Sequence, residues 1–418
     1  MTPIAIFIIL VFFFTLVSKR IEKTILTAPM IFTLAGMGVY LIMPGLAEWE
    51  IQNGIVLVIA ELTLALLLFT DANHIDLRKL LKETTLPLRL LGIGMPLTIL
   101  VGAIVALLLF RGVSIWEAAL LAVILSPTDA GLGQVVVKSH MVPDRIRQAL
   151  GVEAGLNDGL AMPFFTLFIG LAATTDPILA RNWLFYSAEQ IIFGFLVGAV
   201  VGWVGGWLLG EAGKRGWIDG SLQQLGLLSL AFACYGGAGL VGGNGFIAAF
   251  VGGLLVKRGF DDARFHAADF SEVWGQFLVF FVFFIFGMII TPLITAFNST
   301  ILIYAALSLT IIRMLPVAIS MIGTRLKPAS LLFLGWFGPR GLASVVLGLI
   351  FLEREAHLSY ESTIALAVAA TVLFSIIAHG VSALPGINWY SKQIEDLDEN
   401  APELQDVVSV APGIVQPQ

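Results

Sequence analysis

The sequence predicts an all-α polytopic membrane protein of about 13 transmembrane helices, built from inverted repeats with one broken helix in each. Three observations carry that prediction. Of 418 residues, 58% are apolar and only 12% charged, with a mean hydropathy of +0.94; soluble domains carry about 25% charged residues. Apolar stretches of bilayer length follow one another along nearly the whole chain. Two of those stretches are interrupted by a proline accompanied by a charged residue.

In chain order the stretches lie at about 3–18, 24–43, 51–70, 86–110, 114–137, 147–173, 183–210, 218–238, 241–256, 272–296, 300–322, 329–352 and 362–384. The first and ninth fall short of the ~20 residues a span usually needs. Residues 3–18 have no basic region before them and no A-x-A-like cleavage site after them, so they count as a span and not as a cleavable signal. Lys and Arg test the count. Alternate loops carry Lys19, Arg20 and Lys23; Arg78, Lys79, Lys82 and Arg89; Lys138, Arg145 and Arg147; Lys214 and Arg215; Lys257, Arg258 and Arg264; and Arg325 and Lys327. The intervening loops hold only Arg111, Arg181 and Arg354. The positive-inside rule then puts the N-terminus outside and the C-terminus in the cytoplasm of a cell (plasma or inner) membrane. Lone Cys234 rules out a disulfide framework within one chain. Much of the net charge of −6 sits beyond Ser391, and residues 386–418 read as an acidic, disordered tail.

The fifth stretch breaks at Ser126-Pro127-Thr128-Asp129 and the twelfth at Gly338-Pro339-Arg340-Gly341. They lie seven spans apart, an odd step, so they cross the membrane in opposite directions, as in secondary transporters with a binding site at the bilayer midplane. The plain alternative is a pair of tolerated proline kinks, but each break also carries a charge. In the seventh stretch, Gly194, Gly198, Gly202, Gly206 and Gly210 recur every four residues. Such a stripe serves close packing, within the protomer or at a dimer contact.

Six ionisable residues lie well inside spans: Glu61, Asp129, Glu153, Asp158, Arg313 and Arg340. A charge at mid-bilayer costs roughly 2.5–3.5 kcal/mol on insertion scales, so these groups need partners, protons or water. Glu153 and Asn157 share a helix face, while Asp158 is rotated by about 140° from Glu153. Arg340 is the natural bidentate partner for Glu153. Asp158 is then left without a permanent counter-ion, able to hold either a proton or a small cation but not both. The break at Thr128-Asp129 adds freed carbonyls, a hydroxyl and carboxylate oxygens, which suit a hard cation; the alternative for Asp129 is a helix cap. No thiolate or imidazole cluster accompanies them, which disfavours a soft transition metal. Glu61 and Arg313 pair either with each other or with the core, and His379 falls near a helix end.

Four motifs in order, Ser126-Pro127-Thr128-Asp129-Ala130, Val152-Glu153-Ala154-Gly155-Leu156-Asn157-Asp158-Gly159, Gly243-Asn244-Gly245-Phe246-Ile247-Ala248-Ala249-Phe250 and Gly338-Pro339-Arg340-Gly341-Leu342-Ala343-Ser344, resemble the cation/proton antiporter superfamily. Within it they are similar to the NhaP-type electroneutral sodium/proton exchangers. The resemblance implies the NhaA/NhaP-like antiporter fold over residues 1–385: a homodimer whose protomers each pair a scaffold with a six-helix core that moves like an elevator. The core is expected from spans about 86–173 and 300–384, with its broken helices crossing, and the scaffold from about 1–70 and 183–296. It implies that Asp158 carries cation and proton in turn, that Thr128 and Asp129 join it on the transported Na+, and that Asn157 stabilises the crossing. Glu153, paired with Arg340, completes the ion- and proton-binding set. The Asn157-Asp158 form is that of one-for-one exchange. Several relatives have a serine where this chain has Ala154, which leaves cation selectivity open.

The expected activity is therefore Na+(Li+)/H+ antiport, with K+/H+ antiport on the same scaffold as the alternative. No cofactor is expected beyond the transported ions, and no nucleic-acid partner. A channel would want a selectivity-filter loop, which the sequence does not display. An intramembrane aspartyl protease would want facing aspartates, and Asp129 and Asp158 meet that on count alone while leaving Arg340 without a role.

Overall fold

A computed structural model describes residues 3–21, 24–45, 55–74, 85–173, 177–257, 268–353, 358–395, 397–398 and 401–404. Each of the 13 predicted spans is occupied by helix: α1 (Pro3–Ile21), α2 (Ala28–Ile42), α3 (Ile55–His74), α4 (Thr85–Leu109), α5 (Ile115–Ile124) with α6 (Ala130–Val137), α7 (Asp144–Ala172), α8 (Pro177–Lys214), α9 (Gly220–Leu240), α10 (Gly245–Val256), α11 (Ala268–Leu293), α12 (Ser299–Ser320), α13 (Pro328–Trp336) with α14 (Leu342–Glu353), and α15 (Glu361–Ile394). Eight of these helices are long and apolar enough to cross a bilayer singly. The halves α5/α6 and α13/α14 do so only in pairs.

Local sequence explains where helices start. Thr27 caps α2 by accepting from Met30 N–H, with Pro29 in the first turn. Ser114 and Glu117 form a reciprocal capping box that opens α5. Asn244 accepts from the N–H groups of Phe246 and Ile247, so α10 begins later than the apolar stretch does. Two irregularities bear on the site. Residues Leu90–Gly94 of α4 form a π-helical turn. Helix α12 is interrupted at Thr310 (φ −110°, ψ −95°), shortly before Pro316, which has no N–H to return to the carbonyl one turn back.

Helices α2, α3, α8, α9, α10 and α11 pack on one another. The glycine stripe of α8 lies on the backbone of α10: a Cβ at Gly194, Gly198, Gly202 or Gly206 would collide with Asn244, Ala248, Gly252 or Val256, respectively. Of the two uses expected for the stripe, packing within the protomer is the one observed. Helices α4 to α7 pack with α12 to α15. A separate apolar cluster joins α4, α7, α13 and α15 through Leu90, Ile146, Phe333, Phe337 and Tyr390, at the end of the molecule that bears the 138–143 and 321–327 turns.

The described residues beyond 386 depart from the expected disordered tail. Helix α15 runs on to Ile394, and residues 401–404 are packed against the body, with Glu403 only 1% exposed. Residues 396, 399–400 and 405–418 lie outside the described residues.

Candidate functional site

The two broken helices meet back to back. Asp129 N–H donates to Pro339 O (2.8 Å), and Ser344 Oγ donates to Ile124 O (2.8 Å). A broken helix exposes unpaired N–H groups at one new end and unpaired carbonyls at the other, with partial charges of about half a unit. Each end finds a complementary group. The Asp129 carboxylate serves two N-termini at once. Its Oδ1 accepts from Gly131 and Leu132 N–H at the start of α6 (2.7 and 3.2 Å), and its Oδ2 from Leu342 N–H at the start of α14 (2.6 Å). A Cβ at Gly341 would overlap that carboxylate, so the close approach requires glycine there.

The carbonyl ends are served by cations and donors. Arg340 Nη1 donates to Ser126 O (2.5 Å) and Pro127 O (3.1 Å) beyond the end of α5. At the end of α13, Trp336 O faces Nε2 of buried His379 (2.8 Å). The Nδ1 of His379 meets Ser375 Oγ (3.1 Å), which itself accepts Arg340 N–H (2.7 Å). With the ring proton on Nε2, the ring donates to Trp336 O and Nδ1 accepts the Ser375 hydroxyl proton, while Ser375 O, 3.0 Å from Nδ1, receives nothing from the ring. His379 thus spans the second break, and is not the peripheral residue that its place in the sequence suggests.

The expected pairing of Glu153 with Arg340 is not found. Glu153 is bound by both ends of the Arg313 guanidinium (2.5 and 2.7 Å), each side chain being almost fully buried. Arg340 is committed to the carbonyls of the first break, and Arg313, three residues past the interruption of α12 at Thr310, reaches α7 in its place. A Cβ at Gly338 would strike the Arg313 guanidinium, so the second break leaves room for it. Glu61 accepts from Tyr235 Oη (2.9 Å) between α3 and α9, away from this site.

On α7, one turn beyond Glu153, Asn157 Nδ2 donates to Thr128 Oγ1 (2.5 Å). The remaining oxygen of Asn157 and Oδ1 of Asp158 are buried and find no hydrogen-bond partner among the described residues. Buried polar atoms are almost always partnered, so two adjacent residues with open oxygens mark a place suited to a cation or a proton. Asp158 lies within electrostatic reach of Asp129 and of Asp71 on α3. Asp71 falls just past the predicted third span, and nothing in its sequence neighbourhood distinguishes it from a loop acid. A cavity of about 10 Å³, room for one water, is lined by Thr128, Asp129, Ala154, Phe337 and Pro339 among others. The structure therefore brings Thr128, Asp129, Asn157 and Asp158 together, and sets Glu153 behind them as half of an ion pair.

Two broken helices meeting beside a buried carboxylate with an open oxygen among the described residues are the architecture of inverted-repeat secondary transporters. The chain belongs to the sodium/hydrogen exchanger family, whose transmembrane model matches residues 7–389. It is 27% identical over 340 residues to Na(+)/H(+) antiporter 2 of Zygosaccharomyces rouxii, covering 76% of this chain but 41% of that protein. It is 25% identical over 178 residues to the K(+)/H(+) antiporter NhaP2 of Shewanella baltica, covering 42% of this chain and 30% of that one. The chain thus spans less than half the length of either relative. Its fold is that of the sodium proton antiporter MjNhaP1 from Methanocaldococcus jannaschii, with a TM-score of 0.74 at 18% identity over 90% of this chain and 98% of that one.

Proposed function

We propose that the chain is an electroneutral Na+(Li+)/H+ antiporter of a cell membrane, with Asp158 carrying cation and proton in turn. The observation that carries this reading is the open Oδ1 of Asp158 beside the Asn157–Thr128 bond. A single carboxylate that alternates between a proton and a monovalent cation exchanges them one for one, with no net charge moved. Asn157 donates to Thr128 and adds no charge. Thr128, with the remaining acceptor capacity of Asp129, supplies oxygens to the cation, while the Glu153–Arg313 pair holds α7 in place. We assign α4 to α7 and α12 to α15 to a core that moves against a scaffold of the other helices, in a homodimer with its N-terminus outside and its C-terminus in the cytoplasm.

K+/H+ exchange is the second reading. Ala154 favours it, since it lines the cavity with no hydroxyl to offer, as does the likeness to a K(+)/H(+) antiporter. The test is dequenching of a pH dye in proteoliposomes under an imposed pH gradient. Na+ and Li+ should dequench, and Asp158→Asn should abolish the response while keeping the protein folded. Exchange at the parent rate in Asp158→Asn would refute the carrier assignment, and a response to K+ alone would replace the first reading by the second.

A further inference from the structure

We propose that Glu403 is a positioning residue for the transport site, acting from the C-terminal segment through the half-helix α13; this rests on the antiport reading above. Helix α13 has nine residues, and its N-cap, Lys327, offers no side-chain cap. The cap comes from elsewhere in the chain. Glu403 Oε1 accepts from Lys327 N–H (2.7 Å) and from Ser330 Oγ (2.8 Å), placing a carboxylate at the positive end of the helix. The neighbouring Pro402 carbonyl accepts from Arg145 in the first turn of α7, and the Arg145 charge also acts on Glu403. The segment 401–404 therefore straps the start of α13 to the start of α7.

From this strap, contacts run to the site without interruption. Ser330 gives its only proton to Glu403, so the Tyr390 hydroxyl, 2.9 Å away, donates to Ser330. The Tyr390 ring stacks on Phe333 at 4.2 Å, Phe333 meets Phe337 at 4.6 Å, and Phe337 lines the cavity beside Thr128, Asp129 and Pro339. The far end of α13 is the break itself, where Pro339 O receives Asp129 N–H. A nine-residue helix held at both ends moves as a unit, so freeing its start shifts the carbonyls and side chains at its finish. An acidic run such as Glu395 to Asp406 reads as a solvated surface, yet this member of it is buried and its Oε1 is committed to the start of α13.

The experiment measures Na+-dependent exchange and thermal melting for the full chain, Glu403→Ala, Glu403→Gln, Ser330→Ala and Asp158→Asn. Coupling through packed elements amounts to roughly 0.5–2 kcal/mol, or about 2- to 30-fold. Glu403→Ala should raise the apparent KM for Na+ by a factor in that range. Ser330→Ala should raise it less, and Glu403→Gln, whose amide oxygen can still accept both bonds, should stay within about twofold of the parent. A parent KM in both Ser330→Ala and Glu403→Ala would overturn the inference, as would a lowered melting temperature with KM unmoved. If Glu403→Ala does not fold, a parent KM in Ser330→Ala overturns it alone. A parent chain with no exchange would instead refute the antiport reading, which Asp158→Asn tests independently.

Discussion

Removing the Glu153 carboxylate strands Arg313 in a place with almost no water. Both side chains are no more than 3% exposed and share two hydrogen bonds of 2.5 and 2.7 Å. Breaking such a pair from one side costs about 3–5 kcal/mol, because the remaining charge stays buried without compensation. At the lower end of the ~2–4 °C per kcal/mol found for domains of 150–250 residues, Glu153→Ala should lower the melting temperature in detergent by about 6–10 °C. The informative form of the assay is a double-mutant cycle. Arg313→Met alone should be as damaging as Glu153→Ala, and the two together clearly milder than their sum, with a coupling of roughly 1–3 kcal/mol. The matching cycle with Arg340→Met should show little coupling, since Arg340 is spent on Ser126 O and Pro127 O. Strong coupling of Glu153 to Arg340, or an Arg313→Met variant that melts like the parent, would refute this account of the core.

Two further substitutions probe the crossing. Asp129→Asn places an amide NH2 against backbone N–H groups whichever way the side chain turns, because both carboxylate oxygens cap helix starts; it should cost about 1–3 kcal/mol and stop exchange, read by melting and by dye dequenching. His379→Ala removes one donor to Trp336 O, which keeps Gly338 N–H, and the acceptor of the Ser375 hydroxyl proton; two bonds at about 0.5–1.5 kcal/mol each should cost a similar ~1–3 kcal/mol. His379→Gln, which keeps a donor at the Nε2 position, should recover a good part of that loss in the same melting assay.

The spans and their breaks were legible because hydropathy and proline are local signals, and Ser126-Pro127-Thr128-Asp129 has few other uses within an apolar run. Asn157 and Asp158 were legible for the same reason, as polar groups where polarity is expensive. Partnership was not. Which arginine meets Glu153 depends on how α7, α12 and the second break pack together, and no residue pattern announces that. Asp129 satisfied both of its readings in part, since the cap it makes is for two helices, one of them more than 200 positions away. His379 was misjudged because its partner Trp336 O comes from the packing of the α13 end against α15, and Glu403 was missed because α15 passes the predicted boundary at 384 to end at Ile394 and the chain after it returns to cap α13.

The crossing also has a consequence for synthesis. The carbonyls beyond the end of α5 are held by Arg340, which lies 214 residues further along the chain from Ser126, and 213 residues separate Asp129 from its second helix start at Leu342. At about 5–20 residues per second, roughly 10–40 s pass between the emergence of the two breaks. Throughout that interval the first broken helix has an unmatched end and a half-used carboxylate. The crossing can close only once Gly338-Pro339-Arg340-Gly341 has been made. Lesions near residue 340 should appear first as failures of biogenesis, with the early helices inserted and waiting for a partner.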